Sequence, residues 1–238
     1  MHGPVLSSTR ADRLDALRGA AIVWMVVFHF CFDLNHFGWI KQDFYRDPVW
    51  TWQRVVIVTL FVFCAGGGQA LALQAGQSAR RFWRRWLQVA GCALLVSAGS
   101  WWMFPRGWIS FGILHGMAVM LLLLRLGLAR WPAWALLLLA AAALVAPQLG
   151  GHAFFDSRWT NWLGLVTHKP VTEDYAPVLP WLGVMLFGFV FTRSQPERWS
   201  GRLPPGARGL ALLGRWPLSI YMLHQPVLLG LLGLLTVL

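Results

Sequence analysis

The sequence predicts an all-α membrane protein, a bundle of about seven transmembrane helices that forms a single domain over residues 1–238. Of its 238 residues, 57% are hydrophobic and only 12% are charged, whereas about a quarter of a soluble domain is usually charged. One small core cannot hide so much apolar surface. The charge is also lopsided, with 20 Lys and Arg against 9 Asp and Glu. A nucleic-acid-binding domain is the usual interpretation of such basicity, and the apolar stretches argue against it.

Seven apolar stretches predict the helices in order, because a membrane helix requires roughly 20 mostly apolar residues. Pro226 lies inside the last stretch and is expected to kink that helix or to split it in two. The aromatic segment 154–166 is typical of an interfacial segment rather than a span. The seven stretches are 16–37, 50–73, 82–103, 109–124, 132–146, 176–192 and 216–238.

The basic residues give the bundle an orientation. Fourteen of them lie on the side of the N-terminus and six on the other side. By the positive-inside rule, the N-terminus faces the cytoplasm and the C-terminus faces outward. Once acidic residues are counted, the cytoplasmic side carries the whole net charge of +11. The fourteen are Arg10, Arg13, Arg18, Arg80, Arg81, Arg84, Arg85, Arg125, Arg130, Arg193, Arg198, Arg202, Arg208 and Arg215.

Within the first stretch, the ionisable residues His29 and Asp33 are four apart, which places them on one helix face. An ionisable group inside a membrane is expensive and by default marks a functional site. A carboxylate that orients an imidazole prepares it to act as a general base. A polar pair that only ties helices together is the alternative. His36, near the outer mouth, is a further candidate that interfacial solvation explains equally well.

Two more histidines lie within predicted spans. His115 in the fourth stretch falls at a depth similar to that of His29, so the two can line one outward-facing cavity. A simple interhelical hydrogen bond is the alternative for His115. His224 and Gln225 lie directly before Pro226, and a histidine and a glutamine beside a proline-broken helix suit a binding site as well as repair of the break.

Two segments on the predicted inner side are candidates for contact with another molecule or helix. One allows close approach to the backbone, and the other can bind an anion. Residues 66–69 read Gly-Gly-Gly-Gln, and glycines let a helix or a ligand approach the backbone closely; helix packing is the favoured use. Arg80, Arg81, Arg84 and Arg85 form a dense basic cluster. Orientation and lipid contact explain this cluster, and so does a clamp for the phosphates of a cytoplasmic cofactor.

Four parts of the sequence resemble the heparan-alpha-glucosaminide N-acetyltransferase-like family, a group of transmembrane acyltransferases that includes short bacterial proteins. The first is the opening RLDALRGAAI at 13–22, which continues into MVVFH at 25–29. The others are FVFCAG at 61–66, GILHG at 112–116 and LSIYMLH at 218–224. Each motif alone is weak, and their order along the chain is more specific.

The resemblance implies a multi-pass acyltransferase of the bacterial inner membrane. It would move an acetyl group from cytoplasmic acetyl-CoA to a hydroxyl or amine of an envelope glycan or lipid outside, without a metal. A histidine near the outer end of the first span is implicated, here His29 or His36. With Asp33 behind it, His29 would be the base, and His115, Gln69 or Tyr221 would donate to the oxyanion. Donor binding would fall to Arg18, Gly67, Gln69, Arg80, Arg81, Arg84, Arg85 and His224.

Two other classes stay open at this stage. A transporter or flippase would use His29 and Asp33 as a proton relay, although no inverted repeat is apparent. A b-type haem protein would ligate iron with His29 and His115. The expected partners are membrane lipid, acyl-CoA and the acceptor, with no nucleic acid, and a homodimer is compatible with the apolar helices.

Overall fold

The computed structural model describes residues 11–201 and 203–237, and every regular element within them is helical. Arg10 and Arg202, which the charge count assigns to the cytoplasmic side, lie outside the described residues. Short 3₁₀ turns connect several helices. The described α-helices are α1 (Asp12–His36), α2 (Pro48–Gln74), α3 (Ala79–Met103), α4 (Ile113–Leu126), α5 (Ala133–Val145), α6 (Val178–Ser194), α7 (Ala207–Gly214) and α8 (Pro217–Val237).

Seven of these helices correspond to the predicted stretches, but several begin elsewhere. Helix α1 begins at Asp12 because that residue and Asp15 place negative charge in its first turn, where the helix dipole favours it. Helix α3 begins after Ser78, whose Oγ accepts the N–H of Arg81 at 3.4 Å. The arginine cluster therefore lies on this helix, although the predicted third stretch begins only at residue 82. The short α7 was not predicted.

Of the two effects expected of Pro226, the split of the last helix is contradicted, because α8 continues through it from Pro217 to Val237, and the kink stays a prediction. A proline removes only one backbone donor from the helix ladder. Membrane helices tolerate that loss where neighbouring groups satisfy the freed carbonyl. His224 and Gln225 therefore lie on a continuous helix.

Three described helices are long and apolar enough to cross a membrane: Asp12–His36, Pro48–Gln74 and Pro217–Thr236. Three shorter helices are also apolar, namely Ile113–Leu126, Ala133–Gln148 and Val178–Ser194. Many aliphatic side chains on the helices point outward, and a leucine such as Leu94 is 68% exposed. Such surfaces suit lipid rather than water, so the architecture is that of a membrane protein.

The chain divides into two compact units. The terminal unit comprises the chain up to Phe61 and from Ser194 onward, and the central unit comprises Val62–Arg193. Helix α2 begins in the terminal unit and ends in the central unit. The prediction of one domain over 1–238 stays a prediction.

In the terminal unit, α1 packs against α7 and α8. A Cβ at Gly19 would overlap the carbonyl oxygen of Leu210, and a Cβ at Gly214 would overlap that of Asp15. Only glycine lets the backbones of α1 and α7 approach so closely.

An aromatic cluster supports the C-terminal half of α1 within the terminal unit. Phe44, 1% exposed, stacks on Trp50 at a ring-centroid distance of 4.0 Å. Phe28 contacts both rings edge-on. Aromatic pairs of this kind are worth about 0.5–1.5 kcal/mol beyond their buried area. The cluster therefore fixes the helical turn that carries His29.

The central unit contains a second close helix crossing, between α2 and α6. A Cβ at Gly66 would overlap the carbonyl oxygen of Met185, and a Cβ at Gly188 would overlap that of Phe63. The favoured use of the glycine segment as a helix-packing surface is thus confirmed at Gly66.

The N-terminus of α4 is capped by a residue that lies far away in the sequence. Asp174 Oδ2 accepts the N–H of Ile113 at 2.7 Å.

Candidate functional site

Two of the predicted site histidines meet inside the terminal unit. The rings of His29 on α1 and His224 on α8 contact edge-on, with centroids 4.9 Å apart. His224 is 8% exposed, and its Nδ1 lies 2.7 Å from the carbonyl oxygen of Tyr221. A carbonyl only accepts, so Nδ1 carries the hydrogen in the neutral ring. This contact assigns the free lone pair of His224 to Nε2.

Asp33 and Gln225 complete a polar group around the two histidines, and we call the four residues the histidine site. Gln225 Nε2 donates to Asp33 Oδ1 at 3.5 Å, and Asp33 is 1% exposed. Four buried atoms of this site have no hydrogen-bond partner among the described residues: His29 Nδ1, Asp33 Oδ2, His224 Nε2 and Gln225 Oε1. A buried polar atom without a partner costs about 1–3 kcal/mol, so the site calls for a polar partner.

The histidine site agrees only in part with the predicted arrangement. His29 and Asp33 lie one turn apart on α1 as expected, but the carboxylate accepts from Gln225 and not from the ring of His29. His36 is exposed at the end of α1 and interacts electrostatically with Asp33. Gln225, which the sequence offers together with His224 beside Pro226, contacts Asp33 in this site.

His115 lies in the central unit and has both ring nitrogens occupied. Its Nδ1 accepts the N–H of Gly112 at 3.2 Å, and its Nε2 lies 3.1 Å from the Oγ of Ser97. The Ser97 hydroxyl donates to the carbonyl of Ile109 at 2.6 Å, so Nε2 of His115 is the donor in that pair. Because α4 begins at Ile113 rather than near 109, His115 lies in its first turn. These contacts hold the start of α4, and a catalytic role for His115 stays a prediction.

Arg18, a predicted donor-binding residue, is engaged within the terminal unit. Its Nη1 lies 2.8 Å from Asp15 Oδ1 and donates to the carbonyl of Gly214 at 3.1 Å. It thereby joins α1 to the end of α7, and the geometry favours a structural role.

The other predicted donor-binding residues lie in the central unit. The cluster Arg80, Arg81, Arg84 and Arg85 is exposed on the first two turns of α3. None of the four forms a salt bridge with an acidic side chain in the part of the chain that the structure describes. Positive charge at a helix N-terminus opposes the helix dipole, so an anion would be favourable there. Gly67 on α2 is buried.

Gln69 Oε1, on the same helix, is buried without a partner among the described residues. Within those residues, no group of three His, Cys, Asp or Glu side chains is arranged to hold a metal ion.

The loop before α6 is held by polar contacts outside the apolar helices. Asp156 accepts from both the amide and the hydroxyl of Thr167, at 2.7 and 2.6 Å, and these bonds lower its pKa. Burial raises the pKa of Tyr175 to about 12, and its hydroxyl donates to the carbonyl of Asn161 at 2.7 Å. The loop presents Trp159, which is 89% exposed.

The comparisons with known proteins agree with the resemblance seen in the motifs. The family model described as heparan-alpha-glucosaminide N-acetyltransferase, catalytic, matches residues 10–226. The match includes residues of both units and every predicted site residue. No curated protein and no solved structure matches the chain.

Proposed function

Because the chain belongs to the heparan-alpha-glucosaminide N-acetyltransferase catalytic family, we propose that it is an acetyl-CoA-dependent transferase of the bacterial inner membrane. Membership of the family and the apolar helices support a membrane acyltransferase in general. The proposal adds the donor, the direction of transfer and the residues: acetyl-CoA on the basic, cytoplasmic side, and a hydroxyl or amine of an envelope glycan or lipid on the other side.

The observation that carries the proposal is the histidine site. Its four buried atoms without partners comprise two imidazole nitrogens and two carboxyl or amide oxygens. Such atoms suit an acceptor that brings a hydroxyl or amine, because a ring nitrogen can take the proton of the attacking group while the oxygens accept hydrogen bonds from other hydroxyl or N–H groups of the acceptor. A pair that served only as a tie between α1 and α8 would be expected to use these atoms on each other.

The proposed chemistry balances with the donor and the acceptor alone. The acceptor oxygen or nitrogen attacks the thioester carbon, its proton passes to Nδ1 of His29, and the carbon–sulfur bond breaks. The departing coenzyme A thiolate then recovers that proton, so the histidine is regenerated. A base held in this way typically contributes 10²–10⁴-fold to the rate. His224, oriented by the Tyr221 carbonyl, positions the ring of His29 from the side.

Donor binding is assigned to the basic side of the protein. Coenzyme A carries several phosphate charges, and guanidinium groups bind phosphate through charge-assisted hydrogen bonds. The arginine cluster of α3 offers four exposed guanidinium groups for the first encounter, and Gly67 and Gln69 on α2 are proposed to line the path of the slender acyl arm.

The test measures two quantities on the purified full chain in nanodiscs: acetyl-CoA binding by calorimetry and the release of free coenzyme A thiol with added envelope extract. We expect wild type to bind and consume acetyl-CoA. His29→Ala should lower the rate by about a hundredfold or more while binding persists. His36→Ala decides between the two candidate histidines of the first helix.

His168→Ala is the matched control, because that ring is 73% exposed and lies outside the histidine site. It should leave the rate within about twofold. Absence of acetyl-CoA binding by wild type would remove the donor assignment. An unchanged rate in both His29→Ala and His224→Ala would remove the histidine site from the reaction.

A further inference from the structure

A cavity of about 320 Å³ lies in the central unit, where α2, α4 and α6 end. Its size is within the range of ligand pockets in proteins. Three arginines from three different segments line it: Arg125, Arg130 and Arg193. Its other lining residues include Gln74 and Phe189, and no acidic side chain is among them.

The three guanidinium groups keep donors that the described residues do not use. Arg125 Nη1 is buried without a hydrogen-bond partner in the part of the chain described. Arg130 forms no ion pair with an acidic side chain there. Arg193 uses Nη1 for the carbonyls of Ala129 and Trp131, both at 3.2 Å, which leaves its other nitrogens available.

Arg125 connects the cavity to the basic cluster of α3. Its Nη2 donates to the carbonyl of Gln77 at 2.9 Å, just before α3 begins. Its guanidinium also stacks over the ring of Phe82 at 5.3 Å, and Phe82 lies between Arg81 and Arg84 on that helix. Arg125 thus lines the cavity and also contacts the helix that carries the exposed arginines.

Capping of helix ends explains only part of this charge. Arginines near helix C-termini neutralise the negative end of the dipole and bond the last carbonyls. Three helix ends carry about −0.5 charge each, roughly −1.5 in all, against the three full positive charges that line the cavity. A substantial positive excess remains for an anion.

We propose that this cavity is a phosphate-binding pocket, in which Arg125, Arg130 and Arg193 hold the phosphate groups of an anionic ligand. Under the proposed function, on which the identity of the ligand rests, those phosphates belong to coenzyme A. An anionic lipid headgroup offers the same chemistry, and the experiment separates the two sources.

The test titrates free coenzyme A and inorganic pyrophosphate separately into the full chain in phosphatidylcholine nanodiscs, followed by calorimetry. Arg130→Gln is the leading variant, because Arg130 is exposed and donates to no helix end among the described residues, so the fold should persist. We expect it to weaken coenzyme A binding about tenfold, and Arg130→Lys to recover part of the loss. Arg193→Gln should also weaken binding, with a lower melting temperature.

Arg208→Gln is the matched control, since it removes one exposed basic charge from the same predicted side without touching the cavity. It should change the affinity by less than about twofold. Coenzyme A affinities in Arg130→Gln and Arg193→Gln equal to that of wild type would overturn the pocket while leaving the proposed function in place.

A second arm distinguishes the ligand sources. If wild type binds pyrophosphate through Arg130 but does not bind coenzyme A, the pocket stands and the proposed donor fails. Nanodiscs that contain phosphatidylglycerol supply the lipid alternative. If they abolish Arg130-dependent pyrophosphate binding and coenzyme A cannot displace the lipid, the phosphate in the pocket belongs to a headgroup.

Discussion

Arg18 offers a sharp test of whether a basic residue is there to bind a ligand or to hold the fold. The sequence places it among the donor-binding residues, whereas the structure ties it to Asp15 at 2.8 Å and to the Gly214 carbonyl at 3.1 Å. The side chains of Arg18 and Asp15 are only 18% and 15% exposed. We therefore expect Arg18→Gln to destabilise the terminal unit rather than to weaken donor binding.

The size of the effect follows from these two contacts. A hydrogen bond to a charged group is worth about 1.5–3 kcal/mol, and an exposed ion pair adds about 0–1 kcal/mol. Limited exposure moves the ion pair toward the upper end of its range, so the loss is about 2.5–4 kcal/mol. For a chain of this size, each kcal/mol corresponds to roughly 2–4 °C in melting temperature. Arg18→Gln should therefore melt about 5–16 °C earlier.

The assay is thermal unfolding in detergent by intrinsic tryptophan fluorescence, combined with coenzyme A titration well below the transition. Arg208→Gln serves again as the control for the lost charge, and it should melt within about 1–2 °C of wild type. An unchanged melting temperature together with a tenfold weaker affinity for coenzyme A would refute the structural assignment and restore Arg18 to the donor site.

Three further predictions concern the central unit. Gly66→Leu should lower stability by about 1–3 kcal/mol because a side chain would strike α6, whereas Gly91→Leu faces open space and should not; thermal unfolding compares them. His115→Phe should lower the melting temperature through its lost ring hydrogen bonds while the rate per folded molecule stays within a few-fold; a collapse of that rate would instead support catalysis. The bonds from Thr167 lower the pKa of Asp156, so the stability that this carboxylate gives to the loop is present above its unfolded pKa. That stability is lost as the pH falls through the folded pKa. Pepsin should therefore cut the loop faster as the pH falls below about 4, and Asp156→Asn should weaken that dependence.

The helices were predictable because the length of an apolar stretch can be read directly from the sequence. Seven predicted stretches correspond to seven helices. The predicted helix boundaries are wrong where a specific capping contact determines the first residue of the helix. Ser78 caps α3 and Asp174, more than fifty residues away, caps α4. Sequence spacing carries little information about a distant cap. The continuity of α8 through Pro226 likewise depends on its surroundings rather than on the proline.

The sequence indicated which residues belong to the histidine site, but it did not indicate which of those residues contact each other. Ionisable residues within apolar stretches are rare, so His29, Asp33 and His224 were each recognisable as exceptional. Helices α1 and α8 lie near opposite ends of the chain, and only the tertiary fold brings them into contact. That contact places His29 against His224 and Asp33 against Gln225. A spacing rule within one helix finds only the His29–Asp33 pair.

The arginine cavity escaped sequence analysis for a different reason. Arg125, Arg130 and Arg193 were read as orientation signals, and the positive-inside rule needs only that they lie on one side of the membrane. That rule is satisfied by any arrangement on that surface. Arg125, Arg130 and Arg193 come from separate segments and line one cavity of about 320 Å³, so their positive charges repel one another. The positive-inside rule does not require this unfavourable repulsion. A charge placed for orientation alone would be expected to spread over the surface, so their convergence is better explained by an anion that binds all three.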